Sequence, residues 1–427
     1  MSRIVCDECT RAEALRAVAG RGLPAIEPGM PTPAGTGMDR RGFVARSLGL
    51  ALTVYGAGRL DMFDEGIAAA ASTPKNPILV TVFLPGGADA LSLLSPQADP
   101  LYRKLRPSLA ISGGTAFTED DRLFWHPALD PIAQLHDEGK VTVLPAVGYD
   151  HPDQSHFTSR HFWEVGATDS RLLTGSLEPA LATAKVPVAA IDGPDQYDFY
   201  SPGVWGQVED RMLEAIGMLG NSGAHDAASR TAAKVAGQSA TLRRQLQPFG
   251  GKKLTPAVPY PSGNDQFPHS LQGLAAMIAA GLPLRCVALE ATGEYDTHAG
   301  QASELTPALT TTAASLYAFQ RDLEARGIAD RVLTLVWTEF GRRAEENGSG
   351  GTDHGAAGTG FLIGTRVAGT QVGEYPGLAT GLDRDGNLKA TSDFRGVYAA
   401  LLEQWLKFDA ERVLPHSSKF KRPTLVK

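Results

Sequence analysis

Only three cysteines occur in the 427 residues, too few for a disulfide framework. No apolar run approaches the roughly 20 residues needed to cross a membrane, so no stable membrane span is expected. Internal repeats and a GxGxxG fingerprint are also missing, which removes repeat architectures and the usual dinucleotide signature. Basic charge is not in excess: 40 Lys and Arg stand against 47 Asp and Glu, a formal charge of -7. A nucleic-acid partner, which needs a basic face, is therefore not expected. What the sequence does have is an ordinary globular composition, 43% hydrophobic and 20% charged. Its 47 Gly and 28 Pro predict long, shaped loops on a regular scaffold.

The first seventy residues read as an address. Residues 20–37 are Gly/Pro-rich and lack periodicity. Then come adjacent Arg40 and Arg41, Gly42, Phe43 and Val44, an apolar stretch from Leu48 to Gly58, and small residues from Ala68 to Ala71. That order is the order of a secretory signal. The arginine pair resembles the twin-arginine signal, whose translocon carries folded proteins and would be a partner during export. The structural alternative is an amphipathic surface helix with two chance arginines. Cleavage would divide the chain into a flexible, signal-bearing region 1–71 and a mature part 72–427, periplasmic or extracellular. Residues 1–71 hold eight basic and eight acidic residues, so the mature charge stays at -7. Cys6 and Cys9 would leave as well. Their CxxC has no second pair to complete a zinc site. Cys286, in LRCVAL, is expected in the core.

The mature part alternates strands and helices. Ile78 to Leu84, Val141 to Val147, Leu284 to Ala291 and Val332 to Thr338 are apolar, β-branched runs of the kind buried on both faces of a sheet. Pro145 demotes the end of the second. Pro187 to Ile191 and Gly360 to Ile363 are weaker candidates. Leu305, Leu309, Leu316, Phe319 and Leu323 form one helical stripe, stopped by Gly327. Val397, Leu401, Leu402, Trp405 and Leu406 form another, with Asp393 as N-cap. Residues 206–267 read as a mainly helical insertion that ends in a Pro/Gly loop. The expected fold is α/β, a three-layer α/β/α sandwich with a mostly parallel central sheet, as one domain over 72–427.

Ligands gather at the carboxyl ends of parallel strands. The first strand is followed by PGGADA with Asp89, and the second by GYDHPDQSHF with Ser155 and His156. The third is followed by TGEYDTHAGQ with Asp296 and His298. The fourth is followed by EFGRRAEENGSGGTDHG with Arg342, Asp353 and His354. Mixed carboxylate and imidazole ligands suit a divalent metal such as Zn or Mn. Asp296 and His298 could share one ion, and Asp353 and His354 could serve two ions, or one ion and a substrate. Each also has a plain reading: Asp296 as the start of a turn, His298 as a core residue, and Asp353 and His354 as part of a solvated turn. Ser155 is either a nucleophile or an N-cap. His156 contacts substrate or orients a ligand. Arg342 forks an anion or pairs with a nearby Glu.

The blocks DRRGFV, VFLPGGADAL, GYDHPDQSHF, GEYDTHAGQ, TEFGRRAEENGSGGTDHG and SDFRGVYAALLEQWL resemble, in order and spacing, the bacterial family called domain of unknown function 1501, over roughly residues 75–427. The resemblance implies an alkaline-phosphatase-like fold, within the superfamily that also holds the sulfatases. It would place metal ligands at Asp89, Asp296, His298, Asp353 and His354, and a nucleophile at Ser155. This sequence departs from the superfamily pattern in several ways. Asp89 is displaced from the strand end, the DTH spacing is short, and only His416 is available as a late ligand. Ser155 lacks the Cys/Ser-x-Pro-x-Arg context, which argues against a formylglycine.

The expected function is an exported, metal-dependent hydrolase of a phosphate or sulfate ester, its substrate a small-molecule or glycan ester. Ser155, His156 and Arg342 would be its catalytic residues. The alternative is a catalytically degenerate envelope binding or accessory protein on the same fold. The export reading has its own test: with Arg40→Lys and Arg41→Lys together, cell fractionation should find precursor in the cytoplasm. Undiminished export of the double variant would contradict twin-arginine dependence.

Overall fold

The computed structural model describes residues 76–169, 188–190, 255–263, 265–281, 284–369, 371–412 and 414–427. The candidate signal, Cys6, Cys9 and residues 206–254 of the expected insertion lie outside the described residues.

In chain order the elements are β1 (Ile78–Phe83), α1 (Ala90–Leu93), β2 (Leu94–Ser95), α2 (Pro100–Leu105), β3 (Phe124–Trp125), α3 (Asp130–Asp137), β4 (Val141–Gly148) and α4 (His156–Val165). They continue with β5 (Val188–Ala190), α5 (Gln266–Ala279), β6 (Cys286–Glu290), α6 (Gln301–Ala325), β7 (Val332–Trp337), β8 (Gly358–Ile363), β9 (Ser392–Asp393) and α7 (Phe394–Ala400). Among the described residues, seven strands form one sheet in the order β5-β6-β1-β7-β8-β4-β9. Every neighbouring pair is parallel except the two that involve β8. The mostly parallel sheet is thus as expected, with one reversed strand. Pro145 does not end β4. It falls at a register shift between Leu144 and Val147, where β4 pairs with β8, so its missing N–H breaks no regular ladder.

Alternation along the strands explains the three layers. Ile78, Val80 and Val82 face one core with Leu305, Leu309, Leu316, Phe319 and Leu323 of α6. Leu79 and Phe83 face a second core with Trp163 of α4 and Val397, Leu401, Leu402, Trp405 and Leu406. Strands covered on both sides need mainly apolar residues on both faces, hence their near-continuous runs, broken only by Thr81, Thr142, Thr334 and Glu290. Asp393 caps α7 through the Arg395 N–H. Beyond Ala400 that helix widens into a π turn, Leu401–Trp405, and the Trp405 indole bonds the Ile78 carbonyl at 3.0 Å. Among the described residues, no helix is long and apolar enough to cross a membrane.

Asp89 belongs to this framework, not to a metal site. It is the N-cap of α1 and fully buried. Arg106 grips both of its oxygens, with Nη2 to Oδ1 at 2.9 Å. Ser92 and Gln301 donate to it at 2.7 and 2.6 Å. With its oxygens filled by protein donors and no surface exposed, the expected ligand role is corrected to a buried ion pair. Burial alone would raise the carboxyl pKa, but Arg106 outweighs it and holds the group below the ordinary 3.8. A depressed carboxyl stabilises the fold fully above its unfolded value. That contribution is lost as pH falls through the lower folded value. Asp89→Ala strands the Arg106 charge in the core. It is expected to cost about 3–5 kcal/mol in urea unfolding at neutral pH, and a loss under about 1 kcal/mol would contradict the pairing.

Candidate metal centre

Four connections after β1, β4, β6 and β7 meet at one end of the sheet. The reversed β8 starts at this end, so the segment that joins it to β7 stays here. Its two arms pair: the Gly341 N–H bonds the Ala356 carbonyl at 3.0 Å and the Arg343 N–H bonds the Asp353 carbonyl at 3.0 Å. This pairing sets Arg342 opposite His354. Gly351 lies where a Cβ would come 2.4 Å from the His298 carbonyl oxygen. Only glycine allows the loop to press against the DTH segment there.

Three side chains converge. One ligand atom from each of His156, Asp296 and His354 lies within 4.8 Å of the others. His156 Nε2 is 3.3 Å from Asp296 Oδ2, and His354 Nε2 is 3.4 Å from Asp296 Oδ1. The far sides of both rings are tied to oxygen. His156 Nδ1 is 2.7 Å from Glu339 Oε1, and His354 Nδ1 is 2.7 Å from the Gln154 carbonyl. Carboxylate and carbonyl oxygens only accept, and the 2.7 Å contacts at Nδ1 are shorter than those at Nε2, so in the neutral form of each ring the proton is favoured on Nδ1 and the Nε2 lone pair turns inward. His156 Nε2 is buried without a hydrogen-bond partner. Two lone pairs and a carboxylate facing one point form a donor set that fits a divalent cation.

His298 stands beside the triad. Its Nε2 is 2.9 Å from His354 Nε2 and 3.1 Å from Asp296 Oδ1. Asp353 is not among the converging ligands. Asn347 donates to its Oδ1 at 3.0 Å, and His298 Nδ1 lies 3.6 Å from the same atom. Asp353 therefore backs His298 from outside.

Arg342 is corrected too. It is buried, and its guanidinium donates to the carbonyls of Gly87 at 2.9 Å, Thr352 at 2.8 Å, Gly86, and Tyr295 at 3.4 Å, and to Asp296 Oδ1. With its donors engaged inside the protein, it cannot fork a substrate. Ser155 is the N-cap position of α4, but its side chain makes no capping bond, and its N–H bonds Asp153 Oδ1 at 2.8 Å. It is neither in the triad nor on the cleft wall. Sequence reasoning missed Glu339 and the Gln154 carbonyl as partners of the imidazoles. The signal for Glu339 was its place directly after an apolar strand.

The electrostatics follow. Burial opposes charge on His156, but Glu339 outweighs it and raises the pKa. Burial lowers that of His354 and favours its neutral form. Burial works against charge on Asp296, yet the Arg342 hydrogen bond wins and keeps the carboxyl below its ordinary value. An open cleft of about 360 Å³ borders His156 and Asp296 and is lined also by Phe83, Pro85, Phe157 and Arg160.

A family model described as "Protein of unknown function (DUF1501)" matches residues 225–413, less than half of the chain. No curated protein matches. Solved structures are also similar, at low scores, and three of them are as follows. The structure titled Ps i-CgsB has 11% identity over 78% of this chain and 72% of that one, at a TM-score of 0.33. The lipoteichoic acid synthase LtaP from Listeria monocytogenes has 9% identity over 85% and 78%, at 0.31. The PsFucS1 sulfatase from Pseudoalteromonas sp. has 12% identity over 94% and 78%, at 0.30.

Gly86 tests the geometry. Its φ is +108°, and a Cβ would meet the Asp296 backbone nitrogen at 2.5 Å. Gly86→Ala is expected to lose about 1–3 kcal/mol of stability and to weaken uptake of added Zn(II). An unchanged melting temperature with unchanged Zn(II) affinity would contradict the close approach.

Proposed function

We propose that this chain is a metal-dependent hydrolase of a phosphate or sulfate ester, exported by the twin-arginine route to the periplasm or the cell exterior, with a small-molecule or glycan ester as substrate. The observation that carries the catalytic part is the convergence of His156, Asp296 and His354 with both imidazoles turned lone pair inward. The export part rests on Arg40, Arg41 and the apolar segment after them. His156, Asp296 and His354 would hold the ion, with His298 adjacent, and Zn or Mn suits the set. Such an ion supplies Lewis acidity toward an ester oxygen.

The remaining work falls to the chain. Arg342 keeps Asp296 ionised and aimed, because a guanidinium on one carboxylate oxygen fixes the rotamer as well as the charge. The Gln154 carbonyl keeps His354 in the required tautomer. The open cleft brings an ester beside the ligands, and Arg160 supplies the guanidinium of its wall. Arg160 is held over the Phe83 ring at 4.6 Å and paired with Glu164 at 2.8 Å and Glu290 at 3.3 Å, so its guanidinium is fixed in the wall with its charge shared between two carboxylates.

Elemental analysis of the purified protein should find about one Zn or Mn per chain, and turnover of aryl phosphates or sulfates should follow that content. His354→Ala should lose the metal and at least about 100-fold of the turnover. A protein that takes up neither metal and turns over neither ester would sink the hydrolase. A protein that binds metal yet turns over neither ester would favour the accessory alternative.

A further inference from the structure

We propose that Glu339 is a positioning residue that holds His156 as an Nε2 ligand, an inference that rests on the metal reading above. Glu339 lies two residues past the end of β7 and is 2% exposed. A carboxylate so buried must be matched by donors, and each match fixes its orientation. Oε1 accepts the Gly86 N–H at 2.9 Å and Oε2 the Gly87 N–H at 3.1 Å. The Thr338 hydroxyl lies 3.1 Å from Oε2 and 2.9 Å from the Leu84 carbonyl, which share its one proton. With those donors in place, Oε1 faces His156 Nδ1 at 2.7 Å.

The same residue also holds the helix that bears the imidazole. Its backbone carbonyl accepts the Ser159 hydroxyl at 3.0 Å. Ser159 is three residues after His156 and so lies on the same face of α4. The Phe340 ring, 4.9 Å from the imidazole centroid, and the His354 ring at 4.3 Å close its sides. Rotation about the ring axis is thereby blocked, and Nδ1 stays on the carboxylate. Two effects follow at Nε2. The lone pair points toward Asp296, and the negative charge behind the ring makes it a stronger donor.

A purely structural Glu339 would serve only to fasten Gly86 and Gly87. Nitrogen chemical shifts separate the two roles, because they report which ring nitrogen holds the proton. In the full-length protein labelled with ¹⁵N-histidine, at a pH where His156 is neutral, the proton should sit on Nδ1. In Glu339→Gln that preference should weaken. Zn(II) affinity, measured against a chromophoric chelator, should fall by about 10–100-fold. Ser159→Ala removes the tie to the Glu339 carbonyl together with the Tyr149 bond but leaves the Glu339 carboxylate in place, and should leave the Nδ1 preference intact. A wild-type His156 protonated on Nε2 overturns the proposal even if the Gln variant fails to fold. Zn(II) binding by Glu339→Gln at wild-type strength overturns it while leaving the metal reading intact. A wild-type protein that binds no Zn(II) overturns both.

Discussion

The Gly86 and Gly87 peptides are held between a buried carboxylate and a buried guanidinium, and the candidate centre depends on that grip. Glu339 takes the two N–H groups and Arg342 takes the two carbonyls. Both side chains follow β7, three residues apart, so one strand end fastens the loop of its neighbour β1. The remaining valences of the same two groups reach outward: Glu339 to His156 on α4, and Arg342 to Asp296 after β6. Loop and ligands are therefore parts of one hydrogen-bonded unit. Within such a buried network, loss of one member leaves another unsatisfied, which is why its geometry is stiff.

Packing delivers the elements to that unit. Trp163 of α4 stacks on Trp337 at 5.2 Å and on Phe394 at 4.6 Å, so the helix with His156 is fixed to the end of β7 and to α7. Gly166 closes α4 in the left-handed conformation. Reversal of β8 is equally necessary. A parallel strand there would need a long crossover to the opposite end of the sheet, whereas the antiparallel return keeps Arg342 and His354 side by side.

Much of this was legible in the sequence. Near-continuous apolar runs located β1, β4, β6 and β7, because strands covered on both faces leave few polar positions. The two helical stripes located α6 and α7 for the matching reason. Asp296, His298, Asp353 and His354 stood out as polar clusters at strand ends; of these the structure brings Asp296 and His354 together with His156, with His298 beside them and Asp353 behind His298. The direction of β8 was not legible, since GTGFLI has the same composition either way round. Nor were the roles of Asp89 and Arg342. A carboxylate at a strand end reads alike whether it faces a cleft or a buried Arg106, and burial is a property of the packed layers. Ligand shell and supporting shell use the same residue types, so sequence alone exchanged His156 with Asp89.

Charge accounting gives the centre its sign. Asp296 and Glu339 bring two negative charges, and Arg342 returns one positive charge. His354 is pushed toward neutrality by burial, so its ring does not restore the balance. The raised pKa of His156 shows the consequence: a proton is drawn to the place where two carboxylates face one imidazole. A divalent cation would suit the same deficit, with Asp296 and the Nε2 atoms of His156 and His354 as the groups to hold it. His298 Nε2, 2.9 Å from His354 Nε2 and 3.1 Å from Asp296 Oδ1, meets part of that deficit by hydrogen bonding, while His156 Nε2 is left without a hydrogen-bond partner. That unmet nitrogen beside a carboxylate is the physical basis for proposing a metal centre.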